Sequence, residues 1–181
     1  MLLYLIIGCE IGFWIFLFVG LFIRYFFRSP KLSKAVLLCV PLLDFILLCA
    51  TALDLHNGSI ADFAHGLAAV YLGFTLVYGA SVIKWADQHI AYCFASGEKP
   101  DQPPSGGWEY TFYEWQQWGK GVAAGVIAWV LLALAIAYVD QPERTSALNE
   151  WFAGIFWVLA IWLLVWPVWY SIFPKKLSHK V

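Results

Sequence analysis

The chain has 181 residues, 62% of them hydrophobic and only 13% charged, with a mean hydropathy of +0.72 and a formal net charge of −1. Soluble domains carry about 25% charged residues, so this composition excludes an ordinary water-exposed surface and points to one that faces lipid. The slightly acidic balance also argues against a nucleic-acid partner, and a chain of this length is expected to form one bundle domain.

A transmembrane helix needs about 20 mostly apolar residues. Five stretches meet that requirement: residues 2–23, 35–55, 60–83, 119–139 and 151–173. The expected fold class is therefore all-α, a polytopic transmembrane helix bundle with five spans. In the first stretch, Ile6-Ile7-Gly8-Cys9 has the form of a lipoprotein cleavage box. No Lys or Arg precedes it and the apolar run continues to Ile23, so the segment reads as a retained first span. The second and third stretches are separated by His56-Asn57-Gly58-Ser59, a turn-forming sequence that predicts an antiparallel helical hairpin. Residues 84–94 extend the third helix past the membrane, with Lys84 and Asp87 spaced for a helical ion pair. Residues 96–107 (SGEKPDQPPSGG) have linker composition. Trp108, Phe112 and Trp115 then repeat at helical spacing opposite Glu109, Tyr113 and Gln116, which predicts an amphipathic helix lying in the interface before the fourth span. GxxxG pairs at Gly8/Gly12 and Gly121/Gly125, the second extended by Ala124, Ala128 and Ala135, predict close helix packing inside the bundle.

Cations set the expected orientation. Arg24, Arg28, Lys31 and Lys34 follow the first span; Lys84, Lys99 and Lys120 lie between the third and fourth; Lys175, Lys176 and Lys180 follow the fifth. Only Arg144 falls on the other side, so ten of the 11 cations share one face. By the positive-inside rule the amino terminus is outside and the carboxyl terminus cytoplasmic.

Ionisable groups inside hydrocarbon cost at least about 2.5–3.5 kcal/mol and usually face the bundle interior. Glu10 and Asp44 both fall roughly 12–17 Å below the outer ends of their helices, at similar depth. Pro41, one turn before Asp44, is expected to kink the second span. Two such carboxylates share a proton, bind a cation, or act as protonated, hydrogen-bonded packing groups. His65, Tyr71, Thr75 and Tyr78 add a polar stripe on the third span, so Glu10, Asp44, His65, Tyr71 and Tyr78 are the candidates for a proton or cation route. Nearer the outside, Asp54, His56, Asp62 and His65 surround the hairpin turn. Two carboxylates and two imidazoles suit zinc, manganese or a similar divalent metal. The plainer reading of Ser59 and Asp62 is a helix cap. Cys9, Cys39, Cys49 and Cys93 form no CxxC pair, which excludes the usual thiol-redox and zinc–thiolate motifs.

Three segments together carry a resemblance: residues 7–14 (IGCEIGFW), 61–71 (ADFAHGLAAVY) and 83–87 (IKWAD). They look like the YmcC-like family of small bacterial integral membrane proteins, and the likeness runs from the amino terminus to about Phe94. The resemblance implies a multi-pass protein of the bacterial plasma (inner) membrane and implies no mechanism.

Small size, small-residue stripes and the lack of a catalytic motif favour a non-catalytic subunit, assembly or interaction factor. Its expected partners are the lipid bilayer and a membrane protein or a second copy. The alternative is proton, cation or small-solute handling through the intramembrane acids. An enzyme would need its catalytic groups from the hairpin cluster. A haem protein would need His56 to join His65, the one histidine inside a span. No cofactor is expected beyond the divalent metal just considered.

Overall fold

The computed structural model describes residues 2–27, 29–61, 63–94 and 99–175. Of residues 2, 3, 5, 6, 9, 10, 13, 25, 30, 34, 40, 41, 44, 64 and 94 it describes the backbone alone. Five long helices follow in order: α1 (Leu2–Phe26), α2 (Pro30–His56), α3 (Phe63–Phe94), α4 (Gly107–Val139) and α5 (Pro142–Leu163). A π-helical turn (Leu164–Val168) and a short α6 (Trp169–Ile172) continue α5. Every regular element among the described residues is helical. Three helices, His65–Cys93, Gly107–Val139 and Pro142–Ile172, are long and apolar enough to cross a membrane. The described apolar cores of α1 and α2 are shorter, at Trp14–Arg24 and Phe45–His56.

Local chemistry sets the boundaries. Pro30 and Pro142 open α2 and α5, where the missing N–H costs nothing and the fixed φ suits a first turn. Asp140 closes α4 in the left-handed region at φ 50°, a conformation that Asp tolerates better than most residues. Gly58, at φ +114°, turns the chain between α2 and α3. The third helix starts at Phe63 rather than at residue 60 because the Ala61 amide donates to the Arg144 carbonyl of α5, at 2.8 Å.

α1 lies along α2, α2 along α3, α3 along α4 and α4 along α5, with α3 also touching α1 and α5. One buried cluster joins Leu55, Ala61, Ala69, Ala128, Leu132, Val139, Leu148 and Ile155 near the α2–α3 turn. A second joins Leu17, Leu21, Leu37 and Ala86 at the other end. Glycines set the close approaches. A Cβ on Gly73 would stand 2.6 Å from the Ala124 backbone carbonyl, and one on Gly121 2.5 Å from the Trp162 ring. Gly125 likewise faces Leu159 and Ile155, so the second GxxxG pair packs internally, as expected. In the first pair Gly12 meets Leu43, but Gly8 has nothing within 4 Å.

Two sequence expectations change. Residues 108–116 are not a separate interfacial helix; they are the first turns of an unbroken α4 of 33 residues. Trp108 and Phe112 do face outward, but Thr111 and Glu114 turn inward onto α6 and the π turn, which holds the segment in line with the rest of α4. Lys84 does not pair with Asp87. It reaches Asp101 at 3.0 Å, while Asp87 pairs with Arg24 of α1 at 3.3 Å. Bonds from Gln88 and Lys84 hold the Asp101 carboxyl below the usual carboxylate range. The extension of α3 to Phe94 follows the expectation.

Candidate functional site

The outer cluster forms where α2 ends and α3 begins. α2 stays helical through His56, so Asp54 and His56, two residues apart, point in different directions. Asp54 reaches across to α3, where its Oδ2 lies 3.3 Å from His65 Nε2. His56 instead lies against the Tyr138 ring of α4, with ring centroids 5.1 Å apart. A helical turn therefore separates Asp54 from His56. Asp62 lies outside the described residues. Among the described residues no group of three His, Cys, Asp or Glu side chains stands close enough to hold a metal ion.

His65 is 4% exposed, and Asp54 is partly open to solvent. An ionised carboxylate only accepts hydrogen bonds, so in this contact the imidazole Nε2 carries the proton. The next residue, Gly66, meets the Trp151 indole of α5, which also lies against Phe63 with centroids 4.7 Å apart. His65 thus sits near a junction of α2, α3 and α5.

Glu10 and Asp44 lie in α1 and α2, and their side chains fall outside the described residues. Gly12 packs against Leu43, so the backbone segments bearing the two acids pass at one level. Tyr78 donates its hydroxyl hydrogen to the Gln117 carbonyl of α4 at 3.0 Å, whereas His65 turns to α2. Tyr71 and Thr75, half-buried and buried, each have interaction partners.

A second polar cluster, where α4 begins and α6 packs against it, has no counterpart among the residues expected from the sequence. Glu114 is 8% exposed and accepts a side-chain hydrogen bond from Tyr110, beside Tyr113 and Tyr170. Thr111 donates to the Tyr170 carbonyl at 3.0 Å, Trp115 donates its indole N–H to Ser171 Oγ at 3.0 Å, and Trp118 donates to the Leu159 carbonyl at 3.0 Å. Ser171 in turn donates to the Pro167 carbonyl at 2.7 Å. Pro167 explains the wide turn here. It has no N–H for the carbonyl four residues back, so the helix widens to i→i+5 bonding between Leu164 and Val168. The available sequence signal was the spacing of Thr111, Glu114 and Trp118, which line one helical face, together with a proline inside the last apolar run.

Chemically, both clusters act as fasteners: Asp54–His65, Thr111–Tyr170, Trp115–Ser171 and Trp118–Leu159 each join neighbouring helices. No protein-family model matches the chain, and no solved structure does. It is 35% identical over 180 residues to the membrane protein YmcC of Bacillus subtilis (strain 168), described as uncharacterised, covering 96% of this chain and 92% of that one. The match takes in the hairpin with Asp54 and His65 and the cluster of α4 and α6 alike, far beyond the amino-terminal half that carried the resemblance. The chain belongs to the YmcC-like family of membrane proteins.

Proposed function

We propose that this chain is a five-span protein of the bacterial plasma membrane, amino terminus outside and carboxyl terminus cytoplasmic, that works as a non-catalytic subunit, assembly or interaction factor. The observation that carries the reading is the direction of its side chains. Asp54–His65, Tyr78–Gln117, Thr111–Tyr170 and Trp118–Leu159 close polar groups pairwise between helices. Large apolar side chains stand outward instead: Trp14 is 56% exposed, Leu38 70% and Trp157 62%. What such a bundle offers to other molecules is its outer wall. The lengths of α1 and α2, 25 and 27 residues, are those of spanning helices, and the cation bias supports the orientation.

The test is photo-crosslinking in native membranes from residues introduced singly at Trp14, Leu38, Val130 and Trp157. A partner-binding protein gives a discrete protein adduct at one or two of these positions and none at the others. If all four positions yield no protein adduct, the interaction reading fails.

A second reading, proton, cation or small-solute handling through Glu10, Asp44 and His65, is favoured by the buried imidazole held against a carboxylate. Histidine is the side chain whose ordinary titration falls between pH 5 and 8. On this reading, vesicles containing the protein dissipate an imposed pH gradient faster than empty ones, and His65→Ala removes the difference. Equal rates for protein-bearing and empty vesicles would rule out proton passage.

A further inference from the structure

One outward stripe leads down the last helix to the inner end of the bundle. Val158, Ile161, Trp162 and Trp166 line a shallow apolar groove of about 430 Å³. Below it, Trp169 and Phe173 lie tilted against each other with ring centroids 5.0 Å apart, and both are more than half exposed. From Val158 to Phe173 the stripe runs roughly 22 Å at the helical rise, more than the roughly 15 Å that one leaflet contributes to the hydrocarbon core.

The stripe ends at a cation. The Lys175 ammonium lies 4.3 Å from the centre of the Tyr110 ring. The chain is pinned at that point, since the Gly107 amide donates to the Lys175 carbonyl at 2.7 Å. Among the described residues Lys175 forms no ion pair, whereas Arg24 and Lys84 at the same end are matched by Asp87 and Asp101. Trp108, at the start of α4, adds a further exposed indole beside this point. Indoles and lysines at the end of an apolar helix are the side chains that meet lipid headgroups.

We propose that this stripe binds one anionic phospholipid of the adjoining leaflet, with an acyl chain along Val158–Phe173 and the headgroup phosphate at Lys175. Charge selects the class. The phosphate of an anionic lipid meets an unmatched ammonium, while a choline headgroup would bring a second cation to the same place. One lysine near a membrane surface favours an anionic over a neutral headgroup roughly fivefold. The inference is independent of which side of the membrane this end occupies.

The experiment uses the full chain in a mild detergent, titrated with phosphatidylglycerol, phosphatidylcholine or free glycerol 3-phosphate, with bound species counted by native mass spectrometry. The first phosphatidylglycerol should bind roughly fivefold more tightly than phosphatidylcholine. Lys175→Gln should bring that ratio close to one, and Lys175→Arg should restore it, which shows that a loss reflects charge rather than misfolding. Trp169→Ala should weaken both lipids alike, and free glycerol 3-phosphate should not displace the lipid. Equal affinity for the two lipids in the parent protein would overturn the proposal. So would an unchanged preference in Lys175→Gln, or displacement by glycerol 3-phosphate at the lipid's own concentration, which would indicate a phosphate site.

Discussion

A histidine inside a membrane helix invites a ligand, and His65 meets Asp54, 11 residues earlier, on the neighbouring helix. Asp62 lies outside the described residues, and its three-residue spacing from His65 is visible in a string of letters. A contact between helices is not: it depends on α2 remaining helical to His56 and so aiming Asp54 at α3. Glu114 was passed over for a related reason. The repeat of Trp108, Phe112 and Trp115 marks an exposed face, but read as an interfacial helix it left no place for the buried Thr111 and Glu114. If Asp54–His65 fastens α2 to α3, Asp54→Ala takes one acceptor from a buried imidazole and should lower stability by roughly 1–3 kcal/mol. Asp54→Asn, which keeps a carbonyl oxygen there, should lose less. Thermal unfolding in detergent, followed by circular dichroism, measures both; equal losses would contradict a specific hydrogen bond.

Among the helices, hydropathy located each long apolar element, since a run of about 20 residues admits little else. It misjudged where they begin and end. Pro142 starts α5 within residues too polar to count as span, and α4 absorbs the segment expected to lie flat. Small residues marked the packing faces, yet only neighbours distinguish Gly73, which meets the α4 backbone, from Gly8, which meets nothing. Gly73→Ala should therefore cost roughly 1–3 kcal/mol, because a backbone carbonyl cannot step aside. Gly8→Ala should be neutral or stabilising by up to about 1 kcal/mol, from helix propensity alone. Pro167 makes a separate prediction. With an amide restored by Pro167→Ala, the turn can close to ordinary i→i+4 bonding and rotate the residues beyond it. Cysteines placed at Trp115 and Ser171, whose side chains are joined by a 3.0 Å hydrogen bond, should be bridged readily by a short bifunctional thiol reagent in the parent background and several-fold more slowly with Pro167→Ala. Equal crosslinking rates would mean that the proline does not set the register of α6.

Among the described residues apolar and aromatic groups form the wall, while Ser33, Thr51, His65, Thr75, Thr111, Glu114 and Thr145 are buried beside the apolar clusters. A bundle in water would present polar groups on that wall, so lipid is the solvent for which this surface is made. Composition carried that conclusion before any contact was known. What it could not carry was the pairing of helices, which rests on which faces meet. The five-span topology is the claim on which the outer wall, the level of Glu10 and Asp44, and the role of His65 all depend. It is tested most directly by labelling single cysteines from outside intact cells in a cysteine-free background. Probes belong at exposed positions, which favours Asn57 and Ser146 on one side and Lys31 and Ser105 on the other; Ser33, 1% exposed, would resist labelling from either side. The five-span account predicts modification at Asn57→Cys and Ser146→Cys and protection at Lys31→Cys and Ser105→Cys until the cells are opened. Labelling of Lys31→Cys or Ser105→Cys in intact cells, with Asn57→Cys protected, would contradict it.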